Sequence, residues 1–159
     1  MGAVDPRMMA ARVAGQAELR DIRTANLSAE VDFPPQPGSN LGYELQTDFE
    51  YATPQEDGDL TVVMGQYSAS LQVKEEEEKK EFARLGFTLV ALYDIAPAQG
   101  DAYTPDELEA FVKTSAQFAL YPYARETLSM LTTRLGVPSL TLPVLRVELS
   151  KEEVQRALD

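Results

Sequence analysis

Apolar and polar residues alternate along much of the chain between residues 19 and 95, with the period of two that half-buried β-strands show. The clearest segment is LGYELQTDFEY, at residues 41–51. Its odd-numbered positions are aliphatic or aromatic apart from Thr47, while its even-numbered positions include Glu44, Asp48 and Glu50. This pattern predicts a strand with one apolar face and one acidic face.

Three further segments alternate in the same way, at residues 19–31, 63–73 and 83–95. Strands that are apolar on one face and polar on the other are typical of antiparallel sheets covered on one side. The sequence therefore predicts a four-stranded antiparallel sheet with one wet face. In the last segment Val90 and Leu92 are apolar on the face expected to meet water, which indicates either a contact surface or a bulge that turns them inward.

Two segments break the alternation. FPPQPGSN, at residues 33–40, contains three prolines and a glycine and is predicted to be a crossover loop, not a tight turn. KEEEEKKE, at residues 74–81, precedes the fourth alternating segment, and its run from Glu75 to Glu78 is predicted to form a solvated hairpin tip that protects a sheet edge, not a recognition site.

Apolar residues recur at helical spacing before and after the predicted sheet. Asp5 followed by Pro6 resembles an N-cap with proline in the first turn, which predicts a leading helix within residues 1–18. A capping box that begins at Thr104 opens a helical part at residues 104–159. An apolar stripe within this part consists of Leu120, Ala124, Leu128, Leu131 and Leu135.

Helices and strands together predict an α+β chain in which the helices pack on one face of the sheet. The sheet occupies residues 19–95, and residues 1–159 as a whole are predicted to form a single domain. A last helix is predicted after Ser150, since this residue and Glu153 have the spacing of a capping box.

Pro122 interrupts the helical pattern of the last third of the chain. A proline has no N–H, so it cannot donate to the carbonyl of Phe118, and it favours extended angles for Tyr121. The sequence therefore predicts that the helix kinks here or that a second helix begins with this proline in its first turn.

The composition removes most of the groups that catalysis uses. The chain has no cysteine and no histidine, which excludes disulfides, thiolate zinc sites, cysteine nucleophiles and the most common proton-transfer side chain. It has seven tyrosines, six phenylalanines and five methionines, which suit an apolar binding surface. We therefore expect a binding protein that is not an enzyme and needs no cofactor or metal.

Acidic residues outnumber basic ones by 26 to 14, for a formal net charge of −12. This charge repels nucleic acids and anionic lipids. Eight acids and no Lys or Arg lie between residues 24 and 73, so a charged partner of this region should be basic. The sequence has neither an apolar run long enough to span a bilayer nor the apolar core of a signal peptide, and we expect a cytoplasmic protein without membrane insertion.

One segment resembles a known family. FALYPYARETLSMLTTRLGVPSLTLP, at residues 118–143, resembles the signature of the SecB export-chaperone family: an aromatic-Pro-Tyr-Ala-Arg-Glu run, an amphipathic helix and Gly-x-Pro-x-Leu-x-Leu. The order of the predicted elements agrees with that family over residues 19–149. The leading helix and the DIR motif at residues 21–23 are similar to the SecB-like branch, some of whose members chaperone antitoxins.

The resemblance implies both a fold and an activity. The implied fold is a four-stranded antiparallel sheet in Greek-key order with helices on one face. Proline-containing helices pack between such sheets to form a homotetramer, a dimer of dimers. Members of the family are ATP-independent holdases that bind unfolded chains in long apolar grooves. The implied clients are unfolded preproteins, which are delivered to the SecA motor, or an antitoxin.

Candidate site residues combine the alternation with the resemblance. The client-binding groove is expected at Phe33, Leu41, Tyr43, Leu45, Leu142, Val144, Leu145 and Leu149. The oligomer interface is expected at Tyr121, Pro122, Tyr123 and Leu128. The alternative for each groove residue is an ordinary core position. By resemblance Glu30 is the acidic position that would face SecA, whereas the corresponding fourth-strand positions, Arg84 and Gly86, carry no acid.

Two other classes of function stay open. One is an oligomeric adaptor that binds a single folded partner and no unfolded chain. The other is an enzyme that uses two carboxylates in a cleft, for which Asp94 and Glu126 form the pair to test. Suppression of aggregation of an unrelated protein separates the chaperone from the adaptor, and the position of the two carboxylates tests the enzyme.

Overall fold

Four long strands and a C-terminal helical run make up most of the fold. The structure is a computed structural model that describes residues 4–56 and 58–144. Its elements are α1 (Pro6–Ala14), β1 (Ala17–Val31), β2 (Leu41–Ala52), β3 (Thr61–Glu75), β4 (Glu78–Ile95), α2 (Pro105–Phe111), a π-helical turn (Val112–Ala116) and α3 (Gln117–Arg134). The helix predicted after Ser150 lies outside the described residues. Among the described helices, none combines the length and the apolar character that crossing a bilayer requires.

The strand order confirms the predicted Greek-key sheet. All neighbouring strands are antiparallel, and their order is β1-β4-β3-β2. β1 and β2 therefore form opposite edges of one sheet. The loop at residues 32–40 connects these two edges, as expected for the crossover.

One predicted boundary differs from the structure and one agrees with it. The sheet begins at Ala17 instead of residue 19, because β1 pairs with β4 as far as Ile95. The hairpin tip between β3 and β4 lies at the predicted run from Glu75 to Glu78, where Glu75 pairs with Glu78 after Lys74 has paired with Lys79. Most of the charged run thus belongs to the strands, and only residues 76 and 77 form the turn.

The two faces of the sheet differ as the alternation predicts. The inner face is buried beneath α3, and it includes Val63, Tyr67, Ala69, Leu85, Phe87, Leu89 and Ala91. The outer face includes exposed Gln66 and Ser68. Val90 and Leu92 remain on the outer face, half-buried and opposite Met64 and Val62. The proposed inward-turning bulge is therefore wrong at these two positions.

A β-bulge does occur elsewhere in β4. The register between β3 and β4 shifts so that Leu71 faces Ala83 while Gln72 faces Glu81, which leaves Phe82 as the extra residue. Phe82 and Ala83 are both buried. The bulge therefore turns two consecutive side chains away from water, which strict alternation does not allow.

The helical run passes through Pro122 without a new start. The π-helical turn Val112–Ala116 joins α2 directly to α3, and Pro122 lies inside α3. The predicted restart of the helix at Pro122 is therefore wrong. The π-helical turn and the proline, each a known cause of kinks, follow closely on each other in this run. Gly136, with φ 72°, follows the end of the run in the left-handed conformation that suits glycine.

α1 is joined to the start of α2 by one arginine. Arg12 Nη1 donates to both carboxylate oxygens of Glu107 at 2.8 Å, and Nη2 donates to the carbonyl of Asp101. Its guanidinium also lies 5.3 Å from the ring centroid of Tyr103. Glu107 belongs to the predicted capping box with Thr104, so the same carboxylate serves both the cap and the junction.

We expect this junction to make stability depend on acid. The hydrogen bond from Arg12 holds the pKa of Glu107 below its usual range. A carboxyl whose pKa is lower in the folded chain than in the unfolded chain, where it is about 4.3, stabilises the folded state at pH values above about 4.3. This stabilisation is lost as the pH falls through the pKa of the folded state. In thermal unfolding, Arg12→Gln should have a lower Tm than wild type at pH 7. The difference in Tm should narrow below about pH 4. A gap that is constant with pH would contradict this role; Lys113→Gln, which removes an exposed pair with Glu109, should give a smaller gap.

Gly65 is required by the packing between the sheet and α3. A Cβ at this position would lie 3.0 Å from Phe49 Cε1 and from Tyr67 Cε2, and 3.2 Å from Leu120 Cδ1. We expect Gly65→Ala to lower the free energy of unfolding by about 1–3 kcal/mol in urea titrations at fixed protein concentration. The control is Gly86→Ala on the outer face, where the Cβ would meet the Oγ of exposed Ser28 and the hydroxyl can rotate away. Equal losses in both variants would contradict this packing.

Candidate functional site

Apolar side chains remain exposed at both edges of the inner face. On β1, Leu19, Leu27 and Val31 are 41%, 48% and 36% exposed. On β2, Tyr43 is 41% exposed. The neighbouring residues of β3 and β4 on this face are buried, so the exposed surface is confined to the edge strands. Exposed apolar surface of this kind is typical of interaction sites.

A groove lies between β2 and the segment that follows α3. It is lined by Leu41, Gly42 and Tyr43 of β2, Leu71 of β3, Phe82 of β4 and residues 137–140, and it has a volume of about 130 Å³. We call it the β2 groove. Of these residues Leu71, Phe82 and Val137 are buried and form its floor, while Tyr43 is exposed at its rim.

Phe33 borders the β2 groove through an aromatic contact. Its ring centroid is 6.2 Å from that of Phe82, with the planes tilted by 56°. Lys80 Nζ lies 4.6 Å from the centroid of the Phe33 ring, within the range of a cation–π interaction. We call Phe33 and Phe82 together the aromatic wall. Phe33 of the crossover loop thus contacts a residue that lines the β2 groove, although Phe33 is not itself among the lining residues.

The other predicted groove residues lie in different places. Leu45 is half-buried on the inner face of β2, two positions beyond Tyr43. Leu142 is 3% exposed and belongs to the core, so its assignment to an open groove is corrected: the segment after α3 turns this side chain inward. Val144 is 63% exposed and lines a different depression, beside α3. Leu145 and Leu149 lie outside the described residues.

α3 carries a second exposed surface. A depression of about 460 Å³ is lined by Phe118, Tyr121, Pro122, Arg125, Glu126, Ser129, Thr141 and Val144, and we call it the α3 surface. The Tyr121 hydroxyl donates to the carbonyl of Pro143, which holds the returning segment along the helix. On the other side of α3, Tyr123 and Met130 border a cleft of about 320 Å³ against Ile22 and Leu27 of β1.

Three of the four predicted interface residues are on or beside this surface. Tyr121 is half-buried, and Pro122 and Tyr123 are exposed. Leu128 is fully buried in the core of the chain, so its assignment to an oligomer interface is corrected. It belongs to the inward stripe of α3, on the side of the helix that faces the sheet.

The outer face carries an ionic cluster around Arg84. Arg84 Nη1 donates to Asp32 Oδ2 at 2.8 Å and Nη2 to Asp32 Oδ1 at 3.0 Å, which is a bidentate pair. Nη1 also donates to Glu81 at 2.7 Å, and Nη2 to Glu30 at 3.3 Å. The bond from Arg84 lowers the pKa of Asp32, and bonds from Ser70 and then Arg84 lower the pKa of Glu81. Glu30, the predicted SecA-facing residue, is therefore exposed but engaged by Arg84.

The two carboxylates considered for catalysis do not share a cleft. Asp94 lies on the outer face and accepts from Arg20 Nη2 at 2.8 Å. Glu126 is on α3 and borders the surfaces on the inner side of the sheet. The sheet separates the two groups, so they cannot act on one bond. In the part of the chain that the structure describes, no cluster of three or more potential metal ligands occurs.

Sequence reasoning missed two residues of the site. Phe82 was not placed on the inner face because it is out of phase with Ala83, and only the bulge brings both inside. The role of Arg84 was also missed, although it stands two residues after Phe82 in β4. The only sign in the sequence was that Phe82 and Ala83 are two consecutive apolar residues where strict alternation places one, which a bulge would accommodate.

Comparisons with known proteins identify relatives of this chain. No protein-family model matches the sequence. The SecB-like chaperones Rv1957 and MT2006, from the H37Rv and CDC 1551 strains of Mycobacterium tuberculosis, are each 33% identical over 155 residues, covering 89% of this chain and 84% of the relative. The solved structure of Rv1957 in complex with a ChAD peptide from the Rv1956 HigA1 antitoxin has a TM-score of 0.79 and 32% identity, covering 89% of this chain and 99% of that chain.

The fold and these relatives together define the class of protein: a chaperone built on an antiparallel sheet that helices cover on one face. This chain belongs to the SecB-like chaperone family. The resemblance read from the sequence is confirmed, and so are the predicted α+β class and strand order.

Proposed function

We propose that the protein is an ATP-independent holdase that binds extended, apolar segments of non-native polypeptides in the β2 groove. The observation that supports this most directly is the groove itself: a buried apolar floor, an exposed tyrosine at the rim and an aromatic wall beside it. Such a site offers apolar contact without a reacting group. The family is generally non-enzymatic, which agrees with this reading.

The size of the groove indicates how a client would bind. At about 130 Å³ it holds one or two side chains of an extended chain, not a folded surface. Each apolar side chain buried from water contributes about 1.5–3 kcal/mol, so one contact gives weak binding. We propose that clients bind at several such sites of one assembly, because avidity multiplies weak affinities by about 10²–10⁴.

Charge favours basic clients. Glu44, Asp48 and Glu50 are exposed on the outer face of β2, the strand that borders the groove. The region between residues 24 and 73 contains no Lys or Arg, and the net charge is −12. A client with lysine or arginine beside its apolar residues would therefore be attracted during encounter.

An antitoxin segment is the client class that we favour. The related chaperone Rv1957 forms a complex with a peptide from an antitoxin. Delivery of preproteins to SecA is the alternative, and Glu30 stays the predicted contact for it. We favour the antitoxin because Glu30 shares Arg84 with Asp32 and Glu81, which reduces the negative charge that a basic docking tail would meet.

The holdase is tested with an unrelated enzyme that aggregates on heating. Near-stoichiometric amounts of the protein, without nucleotide, should suppress the rise in light scattering. If scattering is unchanged while a single folded partner binds tightly, the oligomeric adaptor explains the protein better.

Tyr43→Asp should weaken client binding. The probe is a fluorescein-labelled peptide in which leucine and tyrosine alternate with lysine, measured by fluorescence anisotropy. Because Tyr43 lies at the groove rim, we expect its loss to raise the Kd about tenfold. Its 41% exposure should keep the change in free energy of unfolding below about 1 kcal/mol. Gln46→Asp makes the same charge change on the outer face of β2 and should leave the Kd within about twofold; equal effects of the two variants would refute the groove.

We further propose that copies of the chain assemble through α3 into a homotetramer, a dimer of dimers, with Tyr121, Pro122 and Tyr123 at the contact. Tyr123→Asp should then reduce the mass measured by size-exclusion chromatography with light scattering, because a charge would be buried between apolar surfaces. The control is Thr133→Asp, an exposed position on the same helix outside both depressions. An unchanged mass for Tyr123→Asp, or equal losses for both variants, would argue against this contact.

A further inference from the structure

We infer that Arg84, on the outer face of the sheet, is a positioning residue for the aromatic wall of the β2 groove on the opposite face. This role rests on the proposed function, because the groove is where a client would bind.

The connection begins at the bidentate pair between Arg84 and Asp32. Asp32 is the first residue after β1, and its backbone N–H donates to the carbonyl of Phe82 at 2.8 Å. The start of the crossover loop is therefore held twice, through a side chain on the outer face and through the backbone beside the bulge. Both attachments are made to β4.

Phe33 follows Asp32 directly, so the position of Asp32 determines where its ring can lie. The Phe33 ring meets Phe82 on one side and the ammonium group of Lys80 on another. Phe82 in turn lines the β2 groove. One peptide unit thus separates the ion pair on the outer face from the aromatic wall.

Apart from the contacts of its own ring, Phe33 is followed in the crossover loop by few backbone attachments. Asn40, at the other end of the loop, accepts from the Lys74 N–H at 2.8 Å. Inside the loop a backbone bond joins Ser39 to Gln36, and Gly38 has φ 83°. Loss of the Arg84 pair would therefore leave the segment that carries Phe33 held by the Asp32 N–H bond to Phe82 and by the contacts of its own ring, which allows the ring to shift.

The ion pair should act on position more than on global stability. The side chains of Arg84 and Asp32 are 44% and 48% exposed. Exposed ion pairs typically contribute little to the free energy of unfolding, although a bidentate pair within a network, as here, belongs at the upper end of that small range. Variants of Arg84 should accordingly fold, and their effect should appear at the groove.

The experiment compares Arg84→Gln with Arg20→Gln in binding the leucine-tyrosine-lysine probe. Arg20 is a matched control: it lies on the same face, is 46% exposed and pairs with Asp94 and Glu18, at the other end of β4 from Phe33. We expect Arg84→Gln to raise the Kd about five- to tenfold, and Arg20→Gln to change it less than about twofold. Asp32→Asn should reproduce the effect of Arg84→Gln, and it replaces that variant if Arg84→Gln does not fold.

A double-mutant cycle separates positioning from a general loss of structure. If Arg84 acts through Phe33, then Arg84→Gln should add little further loss once Phe33→Ala is present. Losses that multiply in the double variant, or a Kd for Arg84→Gln equal to that of wild type, would overturn the inference.

A fluorescent reporter tests the positioning without a client. The chain has no tryptophan, so Phe33→Trp provides a single tryptophan in the aromatic wall, which can be excited selectively over the seven tyrosines. Adding Arg84→Gln should shift its emission to longer wavelength as the ring becomes more exposed, and adding Arg20→Gln should not. An unshifted emission would overturn the inference. If wild type does not bind the probe, the proposed function fails, and the emission alone decides whether Arg84 positions Phe33.

Discussion

A mismatch in length between the strands and the helix that covers them shapes this molecule. β1 and β3 have 15 residues each and β4 has 18, so they extend for about 50–60 Å, whereas the 18 residues of α3 span about 27 Å. The sheet is also wider than one helix, because its four strands lie about 4.8 Å apart and a helix is about 10 Å across. α3 therefore buries the middle of the inner face, at β3 and β4, but not the edge strands. Apolar residues of β1 and β2 stay accessible as a consequence. Both the β2 groove and the surfaces beside α3 arise from this incomplete cover.

The two faces of the sheet differ in polarity. The inner face presents apolar side chains at its edges, while the outer face carries many of the exposed acids and arginines. A protein that leaves apolar surface accessible needs charge elsewhere to remain monodisperse, and a net charge of −12 provides it. The bulge at Phe82 links the faces, because it places an aromatic residue beside the groove while Arg84 stays outside.

The alternation in the sequence was sufficient to predict the four strands and their two faces, because a period of two depends only on which side chains meet water. It could not place Phe82, since a bulge changes the phase without changing the composition. The apolar stripe of α3 was predicted correctly, yet Leu128 was assigned to a contact between copies as well as to that stripe. Pattern alone cannot separate a buried stripe from an interface stripe. The same limit explains Leu142, which is apolar, close to exposed Val144 and nevertheless buried.

The central claim is that the inner face at β2, and not the outer face, receives non-native chains. Methyl NMR tests it most directly, because both faces carry methyl groups. Titration with an unfolded polypeptide should shift the methyl signals of Leu41, Leu71 and Leu140, which line the groove. The signals of Val62, Met64 and Leu92 on the outer face should stay in place. Shifts confined to the outer-face methyls would contradict this account.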